Sequence, residues 1–216
     1  MLYREAGDFS TTYREDSQTF PIRFDRYRYY GVLLFAFAIV PFLLNDYWVN
    51  AIFLPFLIYS IAAIGLNILT GYCGQVSLGT GGFMAVGAYA SYKLMTAFPE
   101  VSMIIHIILA GGITAFVGVL FGLPSLRIKG FYLAVATLAA QFFLVWLFNR
   151  VPWFYNYSAS GQINAPERTI FGIPVTGANT EPWAVYLFCL VLVTLSAVIA
   201  RNLTRGAMGR KWMAIR

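Results

Sequence analysis

From residue 51 to residue 69 the chain carries no charged side chain, and similar stretches recur along most of its length. A bilayer core of about 30 Å takes roughly 20 helical residues to cross. Segments 30–47, 51–69, 76–97, 101–123, 131–148 and 183–200 are of that length and character. Charged residues make up 11% of the sequence and hydrophobic ones 59%, whereas a soluble domain carries about 25% charged residues. Lipid offers no water to backbone polar groups, so long continuous apolar runs must close their hydrogen bonds within helices. The expected fold class is an all-α polytopic membrane protein with about six transmembrane helices.

Between the second and third segments stands Gly71-Tyr72-Cys73-Gly74-Gln75-Val76-Ser77-Leu78-Gly79-Thr80-Gly81-Gly82. Glycine-rich backbone at membrane depth is tolerated only where protein or a water-filled cavity covers it. The run therefore reads either as part of a path for a polar solute or as a tight turn with glycines for close helix packing. It is also either a cytoplasmic turn or a break at mid-membrane. Sequence leaves both pairs of readings open.

The formal charge of +6 does not mark a nucleic-acid partner, because the basic residues flank the spans instead of forming one patch. With a cytoplasmic N-terminus and alternating crossings, all 15 Lys and Arg residues except Lys93, Arg150 and Arg168 fall on the inner side. Basic residues near short loops set orientation. The expected organisation is a cytoplasmic tail over 1–28, a transmembrane domain over 29–200 with an outer loop at 149–182, and a cytoplasmic segment over 201–216. Residues 1–27 lack the basic-then-apolar layout of a cleaved signal. Trp48, Trp153, Tyr155, Tyr157 and Trp183 read as an interfacial aromatic belt. Gly118-x-x-x-Gly122 and Ala136-x-x-x-Ala140 read as faces where helices approach closely.

No Asp, Glu or Arg lies in the apolar cores, and Asp46 falls at the first outer turn. Intramembrane carboxylates are what proton-driven carriers commonly use as relays. There is no G-x-x-x-x-G-K-[ST] loop for nucleotide. No Ser/His/Asp set or carboxylate pair offers catalysis, so no catalytic residue and no cofactor are assigned, and active transport would draw its energy from a partner. Cys73 and Cys189 read as buried thiols, and His106, the only histidine, as a packed or interfacial residue with no metal role. Asn67 aside, the polar residues that stand out inside the spans are Gln75, Ser77, Thr80, Tyr89, Thr137 and Gln141. Thr137 and Gln141 are four apart and share a helix face. Uncharged donors and acceptors suit a zwitterion or an amide, so these six are the candidate lining of a path. Each also fits ordinary hydrogen bonding within a helix bundle.

Three stretches together carry a family resemblance. They are Gly71-Tyr72-Cys73-Gly74-Gln75-Val76-Ser77-Leu78-Gly79 with Phe83 and Gly87-Ala88-Tyr89; Leu126-Arg127-Ile128-Lys129-Gly130-Phe131-Tyr132-Leu133-Ala134 with Thr137-Leu138; and Gly209-Arg210-Lys211-Trp212-Met213-Ala214-Ile215-Arg216. From about residue 29 onward the chain resembles the permease subunits of bacterial ABC importers for branched-chain amino acids. In particular it is similar to the M-type member of the permease pair, a group with urea- and amide-importing relatives. The resemblance implies a multi-pass protein of the bacterial cytoplasmic (inner) membrane that works with ATPase subunits, a sister permease and a periplasmic solute-binding protein. It also implies that Gly209, Arg210, Ala214 and Arg216 begin the ATPase-docking segment. Ser160-Gly161-Gln162-Ile163-Asn164 stands where many relatives carry a Thr-Gly-Gly-type sequence, and relatives continue beyond the docking segment, so the sequence is expected to be a C-terminally truncated one. The competing readings are an ATP-independent channel or carrier for small neutral solutes and a membrane-embedded enzyme. A free-standing channel has no need of the Gly-Arg-x-x-x-Ala-Ile-Arg spacing, and no polar cluster at one membrane face speaks for the enzyme.

Overall fold

A computed structural model describes residues 12, 23–43, 45–125, 131–158, 160, 163–170, 172–177 and 180–215. The chain divides into two compact units, Met1–Leu44 and Asn45–Arg216. In the first, helix α1 runs as three abutting segments, Arg23–Leu34, Phe35–Ile39 and Val40–Leu43. The middle segment is a π turn. Pro41 accounts for it: proline lacks an N–H and its ring crowds the carbonyl four residues back, on Phe37, which a wider turn relieves. The same pairing recurs where the π segment Val49–Phe53 precedes Pro55.

The first expected span, 30–47, is divided between two helices. The first begins at Arg23, inside the segment read as a tail, and the second begins at Asp46 after the extended Asn45 (φ −95°, ψ 162°). Asp46 in that first turn places a carboxylate at the positive end of the helix dipole. Most of the 1–28 tail lies outside the described residues.

The second unit comprises α2 (Asp46–Tyr72), α3 (Thr80–Ala97), α4 (Met103–Ser125) and α5 (Phe131–Arg150), then a two-stranded hairpin, β1 (Arg168–Ile170) and β2 (Ile173–Thr176), and finally α6 (Pro182–Arg205) and α7 (Ala207–Ile215). Among the described residues, four helices are long and apolar enough to cross a membrane: Asp46–Tyr72, Met103–Leu123, Tyr132–Arg150 and Pro182–Arg205. The described chain is thus an all-α polytopic membrane protein apart from one short hairpin. α1 and α3 occupy the remaining two expected segments, and the 18 residues of α3 extend about 27 Å at 1.5 Å per residue.

Within this unit α2 lies along α6, and α7 folds back against the last turn of α2, Ile68–Tyr72. Phe53 and Tyr186 meet edge to face at 5.6 Å toward the opposite end of that pair. A second group forms where α3 packs on α4 and α5. Its core is Val86, Leu144 and Phe148. Tyr89 stacks on Phe148 at 4.3 Å, and Phe154 closes edge-on against Phe148 at 4.9 Å. Ring pairs of this kind add about 0.5–1.5 kcal/mol each beyond area burial. The glycine-rich run is the link between the two groups.

Candidate functional site

α2 does not stop cleanly. Its final π turn lets the Cys73 N–H reach Ile68 O at 3.3 Å and the Gln75 N–H reach Leu69 O at 3.1 Å. Gly74 between them has φ +68°, a region that glycine enters without a Cβ clash, and it turns the chain out of the helix. Residues 74–79 are then non-helical until α3 begins at Thr80. The Leu78 N–H donates to Thr137 Oγ1 at 2.9 Å, and that hydroxyl donates in turn to Ala134 O at 2.9 Å. Thr137 stands six residues into α5, about 9 Å from its start at 1.5 Å per residue. The run is therefore a helix break that packs beside Thr137 of α5.

Gly79 and Gly82 serve contact instead of turning. A Cβ on Gly79 would stand 2.8 Å from Thr137 O, and one on Gly82 would stand 3.0 Å from Gln141 Cα. Any larger residue would push the start of α3 off α5. Held this way, the break borders a cavity of about 390 Å³ with Gln75, Ser77 and Thr137 on its polar wall. Leu69, Phe83 and Leu133 are among the apolar residues facing it, and none of its described lining residues is charged. Such a space can hold an aliphatic group on one side and exchange neutral hydrogen bonds on the other.

Gly118, Gly122, Ala136 and Ala140 also line this cavity. That corrects the reading of the Gly118/Gly122 stripe as a close helix contact: a Cβ on Gly118 or Gly122 would meet nothing within 4 Å. Small side chains here widen a space between α4 and α5.

The six expected lining residues do not all converge. Gln75, Ser77 and Thr137 share the first cavity. Gln141 lies one turn further along α5 and faces Gly81 and Gly82. Thr80 opens α3 without lining that cavity. Tyr89 belongs to a second cavity of about 790 Å³, whose far end is formed by Lys93, Trp153 and Asn156.

That end holds contacts the sequence did not disclose. The Lys93 ammonium lies 4.3 Å from the centroid of the Trp153 ring and donates to Asn156 Oδ1, while Asn156 Nδ2 donates to Tyr92 Oη at 2.8 Å. Asn156 and Tyr157 are both left-handed (φ 52° and 56°), a conformation that asparagine tolerates and tyrosine seldom adopts. From β1, the Arg168 guanidinium donates to the carbonyls of Met95 and Pro99, so a cation caps the negative end of the α3 dipole. His106 is 1% exposed, and its ring nitrogens have no hydrogen-bond partner among the described residues.

At the other end of the unit, Gly206 ends α6 in extended backbone (φ −76°, ψ −175°). The corner into α7 is thus made by Gly206. Gly209 is buried inside α7, where a Cβ would collide with the Thr204 carbonyl. Arg210, Lys211 and Ala214 are exposed on the same short helix, and Arg216 lies outside the described residues.

Residues 49–216 match the protein family described as branched-chain amino acid transport system, permease component. The chain belongs to this permease family. Two curated relatives are the high-affinity branched-chain amino acid transport system permease proteins LivM of Salmonella typhimurium and of Escherichia coli K12. Each is 32% identical over 180 residues, which cover 74% of this chain and 42% of the relative. This permease-family chain thus spans less than half the length of those two relatives. No solved structure matches it.

Proposed function

We propose that the chain is permease sequence of an ABC importer that moves branched-chain amino acids inward across the bacterial cytoplasmic membrane. The observation that carries this reading is the cavity at the helix break, bordered by Gln75, Ser77 and Thr137 and otherwise apolar. An α-amino acid with an aliphatic side chain presents both chemistries at once. Its ammonium and carboxylate can exchange hydrogen bonds with uncharged side chains and exposed backbone, and its branched carbons suit the Leu69 and Phe83 side. Family membership and the two LivM relatives support this solute over urea or a short amide, for which an apolar wall has no use.

In this reading the N-terminus is cytoplasmic, following the basic-residue bias. α7 then lies at the cytoplasmic face, where Arg210, Lys211 and Ala214 are open to an ATPase subunit, and Arg216 extends the same basic segment. Gly209 holds α7 against the end of α6, so force applied to α7 would be passed to a spanning helix rather than to a loop. A sister permease and a periplasmic binding protein complete the assembly, and ATP hydrolysis belongs to the ATPase.

The test is Ser77→Val in the assembled transporter. Uptake of leucine should fall while the amount of protein in the membrane stays unchanged. Normal uptake, together with a cysteine at position 77 that no aqueous thiol reagent reaches, would return these residues to plain packing.

A further inference from the structure

Among the described residues, Phe121 is shared by the linings of both cavities. On α5 the two linings separate by depth: Leu133, Ala136 and Ala140 border the cavity at the break, and Phe143, Leu147 and Phe148 border the larger one. α3 divides in the same sense, with Phe83 on the first and residues from Val86 to Ala97 on the second. α4 divides by side. At about 100° per residue, Ile113, Val117 and Leu120 form one face toward the larger cavity, and Ala115, Gly118 and Gly122 form another toward the smaller. Phe121 sits where the two faces meet. Its ring lies 6.1 Å from that of Phe143, tilted by 54°. Open space adjoins Gly118 and Gly122, the residues three before and one after it.

We propose that Phe121 is a gate residue, with a ring that separates two chambers of a single solute path. This rests on the transport reading above and adds to it the position of the barrier. A small polar solute in the Lys93 chamber meets an apolar ring before it can reach Gln75, Ser77 and Thr137, and an apolar constriction excludes water as well as solute. Moving the ring from one staggered χ1 well to another, into the room beside Gly118 and Gly122, joins the chambers. Those two glycines are what leaves that room.

The experiment places a cysteine at Ser77, in a background with Cys73→Ser and Cys189→Ser. An impermeant thiol reagent is added from each side of sealed membrane vesicles carrying the transporter without ATP. With Phe121 intact, reagent applied from the Lys93 side should leave position 77 unlabelled. Phe121→Ala should make it labelled from that side, and Phe121→Leu should give an intermediate rate. Phe121→Trp should stay unlabelled and lose leucine uptake. Equal labelling of the parent, Phe121→Leu and Phe121→Ala chains, each present at normal membrane level, would overturn the gate. If Phe121→Ala does not accumulate, Phe121→Leu decides, since a rate matching the parent has the same meaning. Labelling that follows the gate while no variant transports leucine would uphold the barrier and count against the solute assignment alone.

Discussion

Thr137→Val removes one hydroxyl and almost no volume, so it isolates the anchor of the helix break. In the native chain the Leu78 N–H has Thr137 Oγ1 as its acceptor at 2.9 Å. Valine takes away that acceptor, and because Leu78 is 48% exposed the cost is that of one net hydrogen bond, about 0.5–1.5 kcal/mol. The second bond of the hydroxyl, to Ala134 O, contributes little, because that carbonyl remains in the helix ladder. Thr137→Ser keeps the acceptor and loses one half-buried methyl, less than about 0.8 kcal/mol. Reversible unfolding of the chain by SDS titration in dodecyl maltoside micelles should therefore rank the native chain and Thr137→Ser close together and Thr137→Val clearly below. A gap of about 1.4 kcal/mol corresponds to a tenfold shift in the folded-to-unfolded ratio. A Val variant as stable as the native chain, or a Ser variant as damaged as Val, would refute the claim that this bond holds the break.

Gly209→Ala should cost about 1–3 kcal/mol through collision with the Thr204 backbone and loosen α7; unchanged amide-exchange protection over 207–215 would contradict this. Arg168→Gln removes charge-assisted bonds to Met95 O and Pro99 O and should destabilise by roughly 1.5–3 kcal/mol, with faster exchange over 95–101 and partial recovery in Arg168→Lys. A Gln variant with native exchange in that stretch would remove the clamp from the account. For orientation, a cysteine at Ser158 should react with an impermeant reagent in intact cells and one at Ser17 only after lysis; the opposite pattern reverses the topology.

The spans were legible because length and absence of charge survive any uncertainty about packing, and α2, α4, α5 and α6 all appear where the apolar runs stand. Their ends were less so. Pro41 and Pro55 were visible as residues, but whether a proline ends a helix or widens it into a π turn depends on what surrounds it. Gln75, Ser77 and Thr137 could be picked out as uncharged polar residues beside glycines, and they share a cavity. Tyr89 satisfied the same criterion yet lies in the other chamber, since residue type carries no depth. Gly118 and Gly122 show the limit most clearly: a small-residue stripe has one sequence whether helices close on it or part around it. The Arg168 and Lys93 contacts bridge 69 and 63 residues of chain respectively, and no local pattern announces such a pairing.

The central claim is that this chain supplies the path of an ATP-driven importer for branched-chain amino acids. Its most direct test is uptake of radiolabelled leucine into proteoliposomes containing the transporter, with ATP supplied to the ATPase side and solute-loaded binding protein on the other. The account predicts accumulation that requires both ATP and binding protein, that unlabelled isoleucine and valine reduce by competition, and that urea leaves unchanged. Leucine entry at the same rate without ATP, or accumulation of urea in place of leucine, would contradict it.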